Sequence, residues 1–286
     1  MDQALTIVVS VLASMATLLL ISVGLAVIFG LMRVINLAHG EFLMLGAYAV
    51  LVAARNGVSL WIAIPLAALA VGIFGLVVER LLIRPLYGRI LDTLLATWGL
   101  SLVLVQAVSV AFGPATNGIG TPLGSVRVGG YSFSQYSLVL IVTAVVTLAA
   151  VYALFTRTPY GIMARAAIQN PAMARALGID TARMNMLTFG IGSALAGLAG
   201  ALLAPVAGVV PSFGQAFIAH AFMTVIVGGP DVITGTSAAA GLLGGSYSLV
   251  SYLTTPFIGQ AALLVIAIVL LRVMPQGLSG NWRTYL

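Results

Sequence analysis

The sequence predicts an all-α polytopic membrane protein of about eight to nine transmembrane helices, with short or broken spans near 33–41 and 228–236. Three observations carry that expectation. Apolar residues make up 61% of the 286-residue chain and charged residues 6%, with a mean hydropathy of +1.17, a balance that soluble domains do not show. The apolar residues gather into nine runs, at about 5–31, 42–54, 58–79, 93–112, 137–156, 186–208, 213–227, 237–253 and 257–273. The charges lie mostly at the ends of those runs, as membrane topology requires. No long polar stretch remains for a separate soluble domain, so 1–286 reads as a single transmembrane domain.

The first run is long enough to cross a bilayer. Asp2 stands where a signal peptide would carry a positive charge, and no cleavage site is evident, so the run is expected to stay in the protein. The second run, 42–54, is only 13 residues long, roughly 20 Å of helix against a hydrocarbon core of about 30 Å. Starting that helix at Asn36, a good N-cap, lengthens it to roughly 28 Å. His39 and Glu41, in the stretch NLAHGE, then fall in or against the membrane. Ionisable groups there are costly and usually face a cavity or a partner, which makes Asn36, His39, Gly40 and Glu41 candidates for a translocation path. The bland alternative places His39 and Glu41 at headgroup level, capping a helix. A second break, GGPDVITGT at 228–236, separates two more runs of marginal length. Gly/Pro-interrupted short spans in the two halves of a transporter point to its translocation site, so Gly228 and Gly229 join the candidates.

Charge settles the expected orientation. All twelve basic residues are Arg. With the amino terminus outside and every run crossing, ten of them, including Arg80, Arg84, Arg89, Arg157, Arg165, Arg175, Arg183, Arg272 and Arg283, fall inside, and only Arg55 and Arg127 fall outside. The carboxyl terminus is then cytoplasmic. The longest outer loop, 113–136, is rich in Gly, Ser, Thr and Pro and is expected to hold a short extended piece, SVRV. It is either a connector or a docking surface for an extracytoplasmic partner.

The inner loop 157–185 is expected to be ordered. Asn170 and Pro171 supply an N-cap and a first helical residue, a helix follows to Leu177, and Gly178 stands where a left-handed terminating residue belongs. Asp180 caps the next helix. A helix of seven residues does not hold itself together in water, so it packs on headgroups, on its own loop or in the groove of a cytosolic partner. Met173 and Leu177 share one face at i,i+4, with Arg175 beside them.

Several chemistries are excluded. There is no Cys, so no thiol, disulfide or Cys-based metal site. The two His residues are far apart, so no metal centre is expected, and no cofactor or catalytic group is evident. With no Lys in the chain, a phosphate-binding P-loop cannot form. The net charge of +6 reflects topology and not nucleic-acid binding. Gly244-Gly245-Ser246 offers a hydrolase-like triplet, but no His follows it to act as a base.

GLAVIFGLMRVINLAHGEFLMLGAYA (24–49) resembles the signature of the branched-chain, or hydrophobic, amino acid ABC-transporter permeases. ERLLIRPLYGR (79–89) resembles that family's first cytoplasmic loop. QNPAMARALGID and TFGIGSALAGLAGALLAP (within 169–205) resemble its coupling loop and the span after it, and MPQGLSG (274–280) resembles its ending. Where the family has a turn of the form GGxGSxxG, this chain has Gly228-Gly229-Pro230-Asp231. The resemblance implies a non-enzymatic permease subunit in a bacterial inner membrane. It would pair with a sister permease or a second copy of itself, and work with two ABC ATPase subunits and an extracytoplasmic substrate-binding protein. Asn170, Pro171, Met173, Arg175, Leu177 and Gly178 would then contact the ATPase. Small residues at Gly190, Gly192, Ala194, Gly197 and Gly200 would allow close helix contacts, either moving or static. Urea and short-chain amide permeases share the NLAHGE-type signature and remain an alternative. So does a stand-alone secondary transporter using Glu41.

Overall fold

The computed structural model describes residues 2–128 and 131–280. Helices dominate, and the nine apolar runs each became one. These are α1 (Asp2–Met32), α2 (His39–Arg55), α3 (Leu60–Val78), α4 (Ile90–Phe112) and α5 (Gln135–Arg157), then α8 (Thr181–Ala207), α9 (Phe213–Gly228), α10 (Thr234–Leu253) and α11 (Pro256–Val273). Two short helices, α6 (Pro159–Gln169) and α7 (Pro171–Ala176), fill the 157–185 loop. Among the described residues, six segments are long and apolar enough to cross a membrane. The other three long elements deviate for visible reasons: α2 and α9 have 17 and 16 residues, and α10 is diluted by Gly, Ser and Thr. The chain is an all-α polytopic membrane protein.

Two compact units divide the chain, one formed by 24–119 with 149–219 and the other by 1–23, 120–148 and 220–286. In the first unit α8 is the central helix, packed most extensively against α3 and α2. It is lined with small residues, which lets three helices reach its backbone. A Cβ at Gly200 would land on the Leu43 carbonyl of α2, and one at Gly192 would strike Gly24 and Ile28 of α1. Toward α3, Gly197 abuts Val71, Ala194 meets Gly72, and Gly190 abuts Leu76. Contacts that fall along α8 as they rise along α3 mark an antiparallel pair. Phe42 stands edge-on between Phe74 and Phe189, with ring centroids 5.8 and 6.0 Å away, and pins the first turn of α2.

At its far end α3 continues through a π-helical turn, Glu79–Ile83, and a 3-10 turn, Arg84–Leu86. Contacts between loops obey the alternation of crossing helices. Arg55 donates to the side-chain oxygen of Asn117, and Asn117 exchanges backbone bonds of 2.9 and 2.8 Å with Val209. This ties together the loops after α2, α4 and α8. On the opposite loops, Tyr87 hydrogen-bonds Asn185 at the start of α8.

In the second unit SVRV is a strand, as expected. β1 (Ser125–Val128) pairs antiparallel with β2 (Tyr131–Ser134). α10 and α11 form a helical hairpin in which Gly259 lies on Ser251 and the Tyr247 carbonyl, while Gly244 of α10 touches the backbone of Met15. The segment 274–280 folds back on the second break. Leu278 N–H donates to the Val227 carbonyl at 2.8 Å, and Ser279 N–H donates to the Gly228 carbonyl at 3.0 Å. Arg283, used in the orientation argument, lies outside the described residues.

Candidate functional site

The break at 33–38 is built from backbone groups that find local partners. Arg33 takes a left-handed conformation (φ 53°) just after α1. Asn36 does not cap α2: its Oδ1 accepts the Ala38 N–H at 3.1 Å, and Ala38, whose carbonyl accepts from Glu41 and Phe42, is the N-cap. The helix therefore starts at His39, three residues later than expected from Asn36. The reason is that Asn side chains compete for nearby backbone N–H groups and favour a tight turn. At 17 residues, α2 is roughly 25 Å long, against a hydrocarbon core of about 30 Å.

α4 closes the break from one side. Thr97 Oγ1 accepts the Leu37 N–H at 3.1 Å and donates to the carbonyls of Leu94 (3.0 Å) and Ile35 (3.4 Å). One turn further along α4, Ser101 hydrogen-bonds the Glu41 carboxylate. The His39 ring lies against Gly24, eight residues before α1 ends at Met32, so α2 begins beside the body of α1 and not at its end. Gly40 lies directly on Gly214 in the first turn of α9: a Cβ on either would strike the other's backbone. Asn36 and His39 are fully buried, and Glu41 is 3% exposed. Non-helical backbone at membrane depth is tolerated only when buried in protein or facing a water-filled cavity, and in this segment Val34, Asn36 and Ala38 are buried while Arg33 is exposed. The structure thus brings Asn36, His39, Gly40 and Glu41 together and adds Thr97, Ser101 and Gly214. The i,i+4 spacing of Thr97 and Ser101, which continues that of Thr93 and Thr97 along one face of the run, was a visible signal. Nothing in the local sequence marks Gly214.

Gly228 and Gly229 belong to the other unit. The Gly228 carbonyl accepts both the N–H and the hydroxyl of Ser279, and Ser279 Oγ in turn accepts the Asp231 N–H at 3.0 Å. Asp231 Oδ1 takes the N–H groups of Ile233 and Thr234. The polar backbone of this break is engaged by the chain's own 274–280 segment.

In the 157–185 loop the local geometry follows the capping signals. Asn170 Oδ1 accepts the Met173 N–H at 3.0 Å, with Pro171 next. Gly178 adopts φ 85°. Ile179 N–H donates to the Ala174 carbonyl and Gly178 N–H to that of Arg175, both at 3.0 Å, the paired closure of a Schellman motif. Asp180 Oδ1 accepts the Arg183 N–H and caps α8. The helix is six residues long, ending at Ala176, one residue short of the expected Leu177. Ala174 points inward, while Met173 (56%) and Leu177 (74%) are exposed.

Beside this loop lies a cluster the sequence did not announce. Glu79 is fully buried and receives Arg84 at 3.1 Å and the Tyr87 hydroxyl at 2.5 Å. Burial, and then the hydrogen bond it donates to the Glu79 carboxylate, push the Tyr87 hydroxyl well above the usual phenol range. Glu79 and Arg84 are five residues apart, a spacing that an α-helix does not place on one face. The π-helical turn, with its i→i+5 repeat, brings them together.

Comparison with known proteins gives a consistent result. The family described as "Branched-chain amino acid transport system / permease component" matches residues 7–274. The high-affinity branched-chain amino acid transport system permease protein LivH of Escherichia coli K12 is 30% identical over 284 residues, 93% of this chain and 92% of that protein. BraD of Pseudomonas aeruginosa, named as a permease of the same kind of system, is 31% identical over 80% of each chain. A protein named as a probable LivH in Methanocaldococcus jannaschii is 28% identical over 93% of this chain and 90% of its own. No solved structure matches. A family match over residues 7–274, with relatives about 30% identical over most of their length and a polytopic helical fold, makes this protein a member of the branched-chain amino acid transport permease family.

Proposed function

We propose that this chain is the transmembrane permease subunit of an ATP-binding cassette importer for branched-chain and other hydrophobic amino acids. The observation that carries the reading is the family match, which runs from residue 7 to residue 274 and takes in both breaks and the 157–185 loop. In this reading 1–286 is one permease domain with no catalytic chemistry of its own. ATP is bound and hydrolysed by two cytosolic ATPase subunits, and an extracytoplasmic binding protein delivers the amino acid. A sister permease, or a second copy of this chain, completes the membrane channel. The protein lies in a bacterial inner membrane with its amino terminus outside and its carboxyl terminus in the cytoplasm, as the Arg distribution favours.

The 157–185 loop is the coupling element. Asn170 and Pro171 start α7, Gly178 ends it, and Met173 and Leu177 offer an exposed apolar face to a groove on the ATPase, flanked by Arg175. Closure of the ATPase pair presses on α7 and moves α8, to which α7 is joined through the Asp180 cap. Asn36, His39, Gly40 and Glu41 line the path, and Gly228 and Gly229 form its second break.

The test is reconstitution of the complex in liposomes with its ATPases and binding protein. ATP-dependent uptake of labelled leucine, isoleucine or valine is the expected result. Uptake of urea or a short-chain amide instead would move the chain to that class of cargo. Uptake that persists without ATP would make it a secondary transporter.

A further inference from the structure

Two buried polar atoms at the start of α2 have no hydrogen-bond partner. One is Asn36 Nδ2, a donor, and the other is Glu41 Oε2, an acceptor that carries negative charge when ionised. Buried polar groups are nearly always satisfied, and each exception calls for an explanation. Here the exceptions are opposite in kind and lie on one short segment. The Asn36 carboxamide is fixed by its other atom, since Oδ1 holds the Ala38 N–H, and Nδ2 therefore stays at the start of the helix. The Glu41 carboxylate is likewise held by Ser101. Beside them Gly40 and Gly214 bring the first turns of α2 and α9 backbone to backbone. Helix N-termini carry partial positive charge and unsatisfied N–H groups that favour anions, and two of them converge at this point.

We propose that these two unmatched groups receive the zwitterionic head of an α-amino acid in transit. The cargo's carboxylate accepts a hydrogen bond from Asn36 Nδ2 and lies in the field of the α2 and α9 N-termini. Its ammonium donates to Glu41 Oε2, while Ser101 keeps the carboxylate of Glu41 in place. The head group enters when the Gly40–Gly214 seam parts, and two glycines without side chains let that seam close fully behind it. The inference deepens the importer reading and rests on it. It also selects among cargo classes, because urea and simple amides have neither charge.

Three substitutions test it in the reconstituted complex, with leucine delivered by the binding protein. Asn36→Asp keeps the oxygen that holds Ala38 and replaces the donor with an acceptor. Glu41→Gln keeps the shape and the bond to Ser101 and removes the charge. Each is expected to lower leucine uptake by roughly tenfold or more, the scale of a lost hydrogen bond to a charged group, with membrane insertion and assembly with the ATPases unchanged. Glu41→Asp, which keeps the charge, should retain more uptake than Glu41→Gln. Parental uptake by both Asn36→Asp and Glu41→Gln would overturn the site while leaving the importer reading intact. Loss of assembly in both would also overturn it, since the residues would then serve folding of the break. A parental complex that moves no amino acid would bring down the importer reading and this site together.

Discussion

Tyr87 and Gly200 show how single residues hold this protein. The Tyr87 hydroxyl donates to a fully buried carboxylate, Glu79, and its proton is retained well beyond the usual phenol range. A folded-state value raised above the unfolded one contributes stability that is complete below about pH 10, the ordinary Tyr value, and is lost as pH rises through the raised value. Tyr87→Phe should therefore destabilise the purified protein by about 1–3 kcal/mol, as a buried acceptor loses its donor. The difference from the parent should stay constant up to about pH 10 and shrink above it, which denaturation at a series of pH values would check. At Gly200 the constraint is steric, because a Cβ has nowhere to go but the Leu43 carbonyl. Gly200→Val should cost about 1–3 kcal/mol or more as an overpacked contact, lowering the thermal midpoint of the detergent-solubilised protein.

At the scale of the element, α7 is the clearest case of local sequence dictating local structure. Its start, its end and the cap of the helix after it were all legible from Asn170, Pro171, Gly178 and Asp180. The helix is six residues long, and its two large apolar side chains, Met173 and Leu177, are exposed. Gly178→Val would force a β-branched residue into a left-handed conformation, costing about 1–2 kcal/mol, and Leu177→Asp would put a charge on the exposed apolar face. Both variants should insert normally, since no long helix is touched, and should lose co-purification of the ATPase subunits. Undiminished ATPase binding by Leu177→Asp would move the contact elsewhere, with the Arg80–Arg89 stretch the next to test. α2 gives the opposite lesson. Its existence was evident from the apolar run, but its first residue depended on whether Asn36 bonded to the third residue beyond it or to the second.

For the whole molecule, the testable property is sidedness. A tag at Gly118, in the loop between α4 and α5, should be reached from outside the cell, and a reporter fused after Leu286 should be cytoplasmic. Finding both on one side would reverse the loop assignments. The absence of Cys makes a second check clean. Single cysteines at Arg55 and Asn117, whose side chains bond each other, should react with a membrane-impermeant reagent from the same side, and a cysteine at Arg80 from the other. Opposite labelling of Arg55→Cys and Asn117→Cys would contradict the alternation of crossings.

The sequence by itself determined whatever depends on composition and on neighbours within a turn or so: the membrane class, the nine helices, the SVRV strand, and the caps around α7 and α8. Burial in lipid demands internally satisfied backbone, so a long apolar run has little choice but helix, and caps act within three residues. Only the tertiary structure decided which distant groups meet. It brought Gly40 onto Gly214, Ser101 onto Glu41, and Ser279 onto the carbonyl of Gly228, 51 residues away. It also showed that a π-helical turn carries Arg84 back to Glu79. Such pairings depend on how helix surfaces fit together, and between lipid-compatible helices that fit rests on small residues and close backbone approach. A run of glycines in α8 signals that close contacts exist, but it does not say with which helix, because each face of one helix meets a different neighbour.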